Sequence, residues 1–146
     1  MDSTDKYIRM CEQASELQTM RKEEVSHQSG DNNNKGQYTW FSNDGGVKSI
    51  RIYIFYGTAN WETGSGVWLP TQDQLQDMLL EDYLSVFDLM RNFNKFGDFE
   101  GKKHNASNKY TCFFNSLEQL WLGFYMKEVH NKLWSGDKWI KNDSSK

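Results

Sequence analysis

Apolar residues in this chain recur with two different periods, and the switches between them lay out the elements. Across residues 3–21, Tyr7, Cys11, Ala14, Leu17 and Met20 fall three or four apart. That is the spacing of one face of an amphipathic helix, with Arg9, Glu12, Gln13 and Glu16 on the wet side. Residues 22–36 lack such periodicity and are rich in Gly, Asp and Asn, which predicts a flexible surface loop. Residues 37–41 and 47–56 are β-branched and aromatic and flank Ser42-Asn43-Asp44-Gly45-Gly46, a hairpin signal. In the second of these strands Ile50, Ile52, Ile54 and Tyr56 alternate with Arg51, Tyr53 and Phe55. The aliphatic face is expected to meet helices. The aromatic face is expected to be covered by another segment, a second subunit or a ligand. Val67-Trp68-Leu69 predicts a third short strand, which Pro70 stops.

Thr71-Gln72-Asp73-Gln74 has the form of a capping box and predicts a helix start, with Asp73 and Asp77 suited to the helix dipole. Leu75, Met78 and Leu79 form the stripe expected to be buried, and Tyr83, Phe87, Met90 and Phe93 continue it as far as Phe96. A break over 82–85 fits Ser85 as the cap of a second helix. A polar loop is expected over 97–110. Ser116-Leu117-Glu118-Gln119 repeats the capping-box pattern ahead of a last helix, to about residue 133, that carries Leu117, Leu120, Trp121, Phe124, Val129 and Leu133. Trp134 and Trp139 then sit on either side of a turn, and residues 141–146 read as a disordered tail. Together these elements predict one α+β domain over 1–146. Its small antiparallel sheet (37–69) has an N-terminal helix and two or three C-terminal helices packed on one face.

Composition adds that rings must carry the core: 22 residues are Phe, Trp or Tyr, 21 are Ile, Leu or Val, and three are Ala. Six tryptophans are hard to hide completely in so small a volume, so one or two are expected at the surface. With 17 basic and 20 acidic residues there is no broad positive field, which argues against general nucleic-acid binding. No apolar run approaches the ~20 residues that cross a bilayer. The charged start, Met1 to Lys6, does not read as a signal peptide, so the expected location is the cytoplasm.

No metal, cofactor or catalytic group is expected. Cys11 and Cys112 read as buried free thiols, and His27, His104 and His130 have no metal-ligand spacing. Glu62, Asp73 and Asp77 could be imagined in acid–base chemistry, but the two aspartates are better explained by the helix start. Pairing Cys112 with His104 or His130 lacks any local feature that would lower the thiol pKa. Two candidate binding surfaces remain. In the first, Tyr53, Phe55, Trp61, Glu62 and Trp68 with Arg51 would sandwich a base or sugar while the guanidinium takes a phosphate or carboxylate. The alternative is that these rings form a second small core. In the second, Trp134 and Trp139 would anchor a protein partner, the alternative being that they close the fold on itself.

Two stretches resemble an uncharacterised family of small proteins from phages and prophages of low-GC Gram-positive bacteria. They are Trp68-Leu69-Pro70-Thr71-Gln72-Asp73-Gln74-Leu75-Gln76-Asp77-Met78, and Ser116-Leu117-Glu118-Gln119-Leu120-Trp121-Leu122 with Trp134-Ser135-Gly136-Asp137-Lys138-Trp139. The likeness covers mainly 67–96 and 113–140, together with Lys6-Tyr7-Ile8-Arg9-Met10-Cys11, and a composition of 13 Lys to four Arg with 12 Asn agrees with an AT-rich genome. It implies a setting and carries no catalytic residue. The expected role is a non-enzymatic accessory protein that binds a protein partner, or self-associates, through exposed aromatic surface. Binding of a small molecule, a nucleotide or sugar, at the Arg51 cluster is the alternative, with modulation of host defence as one outcome.

Overall fold

Side-chain caps fix where the helices begin, and two side chains close what would otherwise be open backbone. The computed structural model describes residues 2–20, 36–44, 47–55, 66–97 and 110–143. Residues 22–35 of the loop expected over 22–36, most of the polar loop over 97–110 and the last three residues of the tail lie outside them. The architecture is α+β, and the chain divides into two compact units, residues 3–70 and residues 71–146 with Met1–Asp2.

In the first unit, Thr4 caps α1 (Asp5–Gln13): its hydroxyl accepts from the Tyr7 amide at 3.2 Å. The helix stops at Ala14, whose amide turns back to the Cys11 carbonyl, and residues 15–20 form a second helical segment, α2. The continuous helix expected over 3–21 is therefore two pieces. Tyr7, Cys11, Ala14 and Leu17 are nonetheless all fully buried, as their spacing predicts, whereas Met20 is half-buried and Met10, outside that stripe, is fully buried. The sheet has three antiparallel strands in the order β2-β1-β3, formed by β1 (Gly36–Asp44), β2 (Val47–Phe55) and β3 (Val67–Leu69). Asp44 pairs with Val47, so the hairpin strands close to within two residues. A Ser42–Ser49 hydroxyl pair at 2.8 Å spans them. Ile50, on the face expected to meet helices, is exposed.

The outer edge of β3 is closed by a side chain. Gln18 Nε2 donates to the Trp68 carbonyl and Gln18 Oε1 accepts from the Trp68 amide, each at 2.9 Å, while Nε2 also donates to the Cys11 carbonyl at 3.2 Å. The primary amide thus stands where a neighbouring strand's peptide group would, satisfying an edge that would otherwise be open to another chain. The Tyr7 hydroxyl donates to the Pro70 carbonyl at 2.6 Å and ties α1 to the end of the same strand.

In the second unit the Thr71 box is complete: Thr71 Oγ1 accepts from the Gln74 amide and Gln74 Oε1 accepts from the Thr71 amide, opening α3 (Gln72–Leu80). The chain breaks over 81–85, and Ser85, whose hydroxyl accepts from the Asp88 amide at 3.2 Å, starts α4 (Val86–Gly97). A 3₁₀ turn, Tyr110–Phe113, precedes α5 (Leu117–His130). At Ser116 the expected box is modified. Ser116 Oγ accepts from the Gln119 amide, but the Gln119 side chain reaches one residue further back, to the Asn115 amide. The freed donors go to Asp2: Ser116 Oγ–H and Gln119 Nε2 both donate to its carboxylate, which is buried at the positive end of α5. Asn131 ends α5 in the left-handed conformation that asparagine tolerates.

Helix α5 was expected to reach residue 133. Instead Lys132–Trp134 form β4, which pairs antiparallel with β5 (Trp139–Lys141) in a hairpin that sets Trp134 opposite Trp139. The strand extends into the stretch read as a tail, and the Asn142 amide donates to the Asn131 carbonyl at 2.8 Å. The core of this unit is aromatic. Phe93 stacks on Trp121 with ring centroids 3.8 Å apart, and Phe124 meets both rings edge-on. Phe96, Tyr110 and Phe114 extend the cluster.

Candidate functional site

Break and cap together decide which residues α4 turns outward. In one uninterrupted helix from Thr71, Phe87 and Met90 would fall on the stripe of Leu75 and Leu79. The irregular residues 81–85 reset the phase, and the buried positions of α4 become Leu89 and Phe96, with half-buried Phe93 between them. Phe87 and Met90, expected inside, are 84% and 40% exposed. With Leu84 at 99% and Val86 at 58% they form a run of large apolar side chains in solvent at the start of the helix. Isolated exposed apolar residues need no explanation, but four within the seven residues 84–90 exceed that scattered pattern.

Charges border this surface unevenly. Glu81 and Asp82 are exposed before the helix, and Arg91 and Lys95 are exposed along its second half. Asp88 Oδ1 pairs with Arg91 Nη1 at 3.3 Å, Asp88 Oδ2 accepts from the Ser85 hydroxyl at 3.0 Å, and the Asn92 side chain donates to the Asp88 carbonyl. Behind the surface, the Tyr83 hydroxyl donates to Glu128 Oε2 on α5 at 3.2 Å. Burial, reinforced by the Glu128 and Asp82 carboxylates, raises the Tyr83 phenol to about 12. The segment is thus held from one side while its apolar side chains face away.

The residues singled out from the sequence lie elsewhere. The register sets Arg51 opposite Trp40 and Trp40 opposite Trp68, one row across three strands, with Tyr53 opposite Tyr38 and Phe55 opposite Gly36. Trp68 is buried, which leaves no ring face at that position for a ligand to stack on. Trp61 and Glu62 lie outside the described residues, as do His104 and the lysines beside it. Trp134 is buried and Trp139 half-buried, and their rings meet edge-on at 5.0 Å. This pair closes the hairpin on its own unit. The Tyr110 hydroxyl accepts from the Trp134 amide, and burial pushes the Tyr110 phenol up, partly offset by that bond. The Trp134 indole N–H has no acceptor among the described residues.

Of the tryptophans whose side chains are described, Trp68, Trp121 and Trp134 are buried and Trp139 is half-buried, and the ring that is most exposed among those described is Phe87. One sequence signal could have found it. Val86, Phe87, Leu89, Met90, Phe93 and Phe96 cover far more of the helix circumference than a single buried stripe needs. Among the described residues no cluster of His, Cys, Asp or Glu could hold a metal ion, and no helix is long and apolar enough to cross a membrane. Comparison of the chain with protein-family models, curated proteins and solved structures gives no match.

Proposed function

We propose that this chain is a phage or prophage accessory protein of the bacterial cytoplasm that acts by binding another polypeptide, through the apolar face of α4, and not by catalysis. The observation that carries the reading is the exposure of Leu84 and Phe87 beside Val86 and Met90. Aromatic and aliphatic anchors at the centre of a contact, rimmed by charge, are what protein interfaces use. The phage setting rests on the sequence resemblance at 67–96 and 113–140. Binding of a nucleotide or sugar at Arg51 draws on its register beside Trp40. It lacks a described ring that is open to a ligand.

The test is to express the tagged chain in a low-GC Gram-positive host and identify what co-purifies, for the wild type and for a Leu84→Glu/Phe87→Glu variant. The reading expects a stoichiometric protein, another chain or a second copy of this one, that the variant loses. Equal recovery from both would overturn it.

A further inference from the structure

Resting on that reading of α4, we infer that the occupant of the exposed face is a second copy of this chain, with the two α4 helices antiparallel. The charges along the segment run in a fixed order. Two acidic residues, Glu81 and Asp82, precede the apolar run, and two basic residues, Arg91 and Lys95, follow it, and all four are exposed. Among the described residues Glu81, Asp82 and Lys95 make no salt bridge. Arg91 remains 66% exposed beside Asp88, with guanidinium N–H groups to spare.

A surface that is acidic at one end, apolar in the middle and basic at the other is complementary to itself after a half-turn. A two-fold axis near Phe87 would bring Met90 onto Leu84 of the other copy, and Arg91 and Lys95 toward that copy's Glu81 and Asp82. Each such contact occurs twice, as symmetry requires of an isologous interface. A parallel arrangement would set acid against acid and base against base, which costs affinity. A partner of a single charge sign would match only one end.

The test uses the full chain in sedimentation equilibrium at moderate salt, with thermal unfolding confirming that each variant is folded. The wild type is expected at twice the 17.2 kDa chain mass. Phe87→Glu should weaken the dimer roughly tenfold or more, the usual consequence of losing a central anchor. Two charge variants test the pairing of the ends: Arg91→Glu/Lys95→Glu, acidic at both ends, and Glu81→Lys/Asp82→Lys, basic at both ends. Each alone should be monomeric, and an equimolar mixture of the two should regain the dimer mass. A dimer indifferent to Phe87→Glu, or a mixture that stays monomeric while the wild type dimerises, would overturn the inference. So would a wild type that is monomeric at high micromolar concentration. In that last case, loss of a co-purifying host protein in the Leu84→Glu/Phe87→Glu variant would leave the proposed function standing, whereas equal recovery would remove both.

Discussion

Two helices of the same unit meet water in opposite ways. In α5 six consecutive residues, Trp121 to Met126, are buried, so the helix is covered around its circumference and no single stripe marks it. In α4 only Leu89 and Phe96 are fully buried, and residues as apolar as those of α5 stand in solvent. Hydrophobic content is thus a poor guide to which helix is central. What separates them is enclosure. Helix α5 has α3, β4 and the Phe93, Phe96 and Phe114 rings around it, whereas α4 lends the unit one side and keeps another. The difference assigns structural work to α5 and leaves the outer side of α4 in solvent.

If that contrast holds, removing bulk from α5 should be costly. Trp121→Ala deletes the ring stacked on Phe93 and should destabilise the chain by about 3–5 kcal/mol in urea unfolding, the range for truncating a buried large aromatic. A loss below 1 kcal/mol would mean that α5 is not enclosed. Adding bulk should also be felt. A Cβ at Gly123 would lie 2.5 Å from the Phe114 ring, which is itself held against Phe96 and Tyr110. Gly123→Ala is therefore expected to cost about 1–3 kcal/mol by overpacking. The substitution would gain roughly 1 kcal/mol of helix propensity on an open surface, so even its sign is informative.

How far the sequence disclosed this arrangement depended on which kind of signal each part uses. Cap residues act within four positions of themselves, so Thr71 and Ser85 could be placed by inspection, and the buried stripe Tyr7, Cys11, Ala14, Leu17 followed from local periodicity. The antiparallel sheet was legible for the same reason, since alternation and turn residues are adjacent in the chain. Contacts that join distant residues left no such mark. Nothing local says that Asp2 docks on the start of α5, or that Gln18 completes the edge of β3 at Trp68. The short strand after α5 was hidden because Leu133 continues the apolar helical spacing of α5 past Asn131, where the chain turns. Of the rings singled out as candidates, those of Trp68, Trp134 and Trp139 are described, and the most exposed described ring is another one. Trp68 and Trp134 found strand positions that bury them, and the phase reset at 81–85 put Phe87 outside instead.

A smaller effect tests the side on which the α4 segment is anchored. The Tyr83 phenol is raised from its ordinary 10.0 to about 12 in the folded chain by burial and by Glu128, so folding favours its protonated form. The stabilisation it provides is complete below pH 10, declines as pH rises toward 12 and is gone above that. Unfolding free energy followed over this window should fall less steeply in Tyr83→Phe than in the wild type. Identical slopes would show that the hydroxyl is not held by Glu128 in solution. The smallest effect on stability is expected on the outer side of α4 itself, where Leu84→Ala and Val86→Thr should each stay within about 0.5 kcal/mol of the wild type.

The claim on which the rest depends is that this outer side belongs to no interior, and the urea-unfolding free energy of Leu84→Glu/Phe87→Glu, measured on the isolated chain at a concentration too low for association, addresses it most directly. The account predicts an unfolding free energy within about 0.5 kcal/mol of the wild type, with an unchanged slope, because two exposed side chains have been exchanged for others. A loss of 3 kcal/mol or more, the scale on which buried large residues are missed, would show that these side chains are covered by their own chain and would contradict the account.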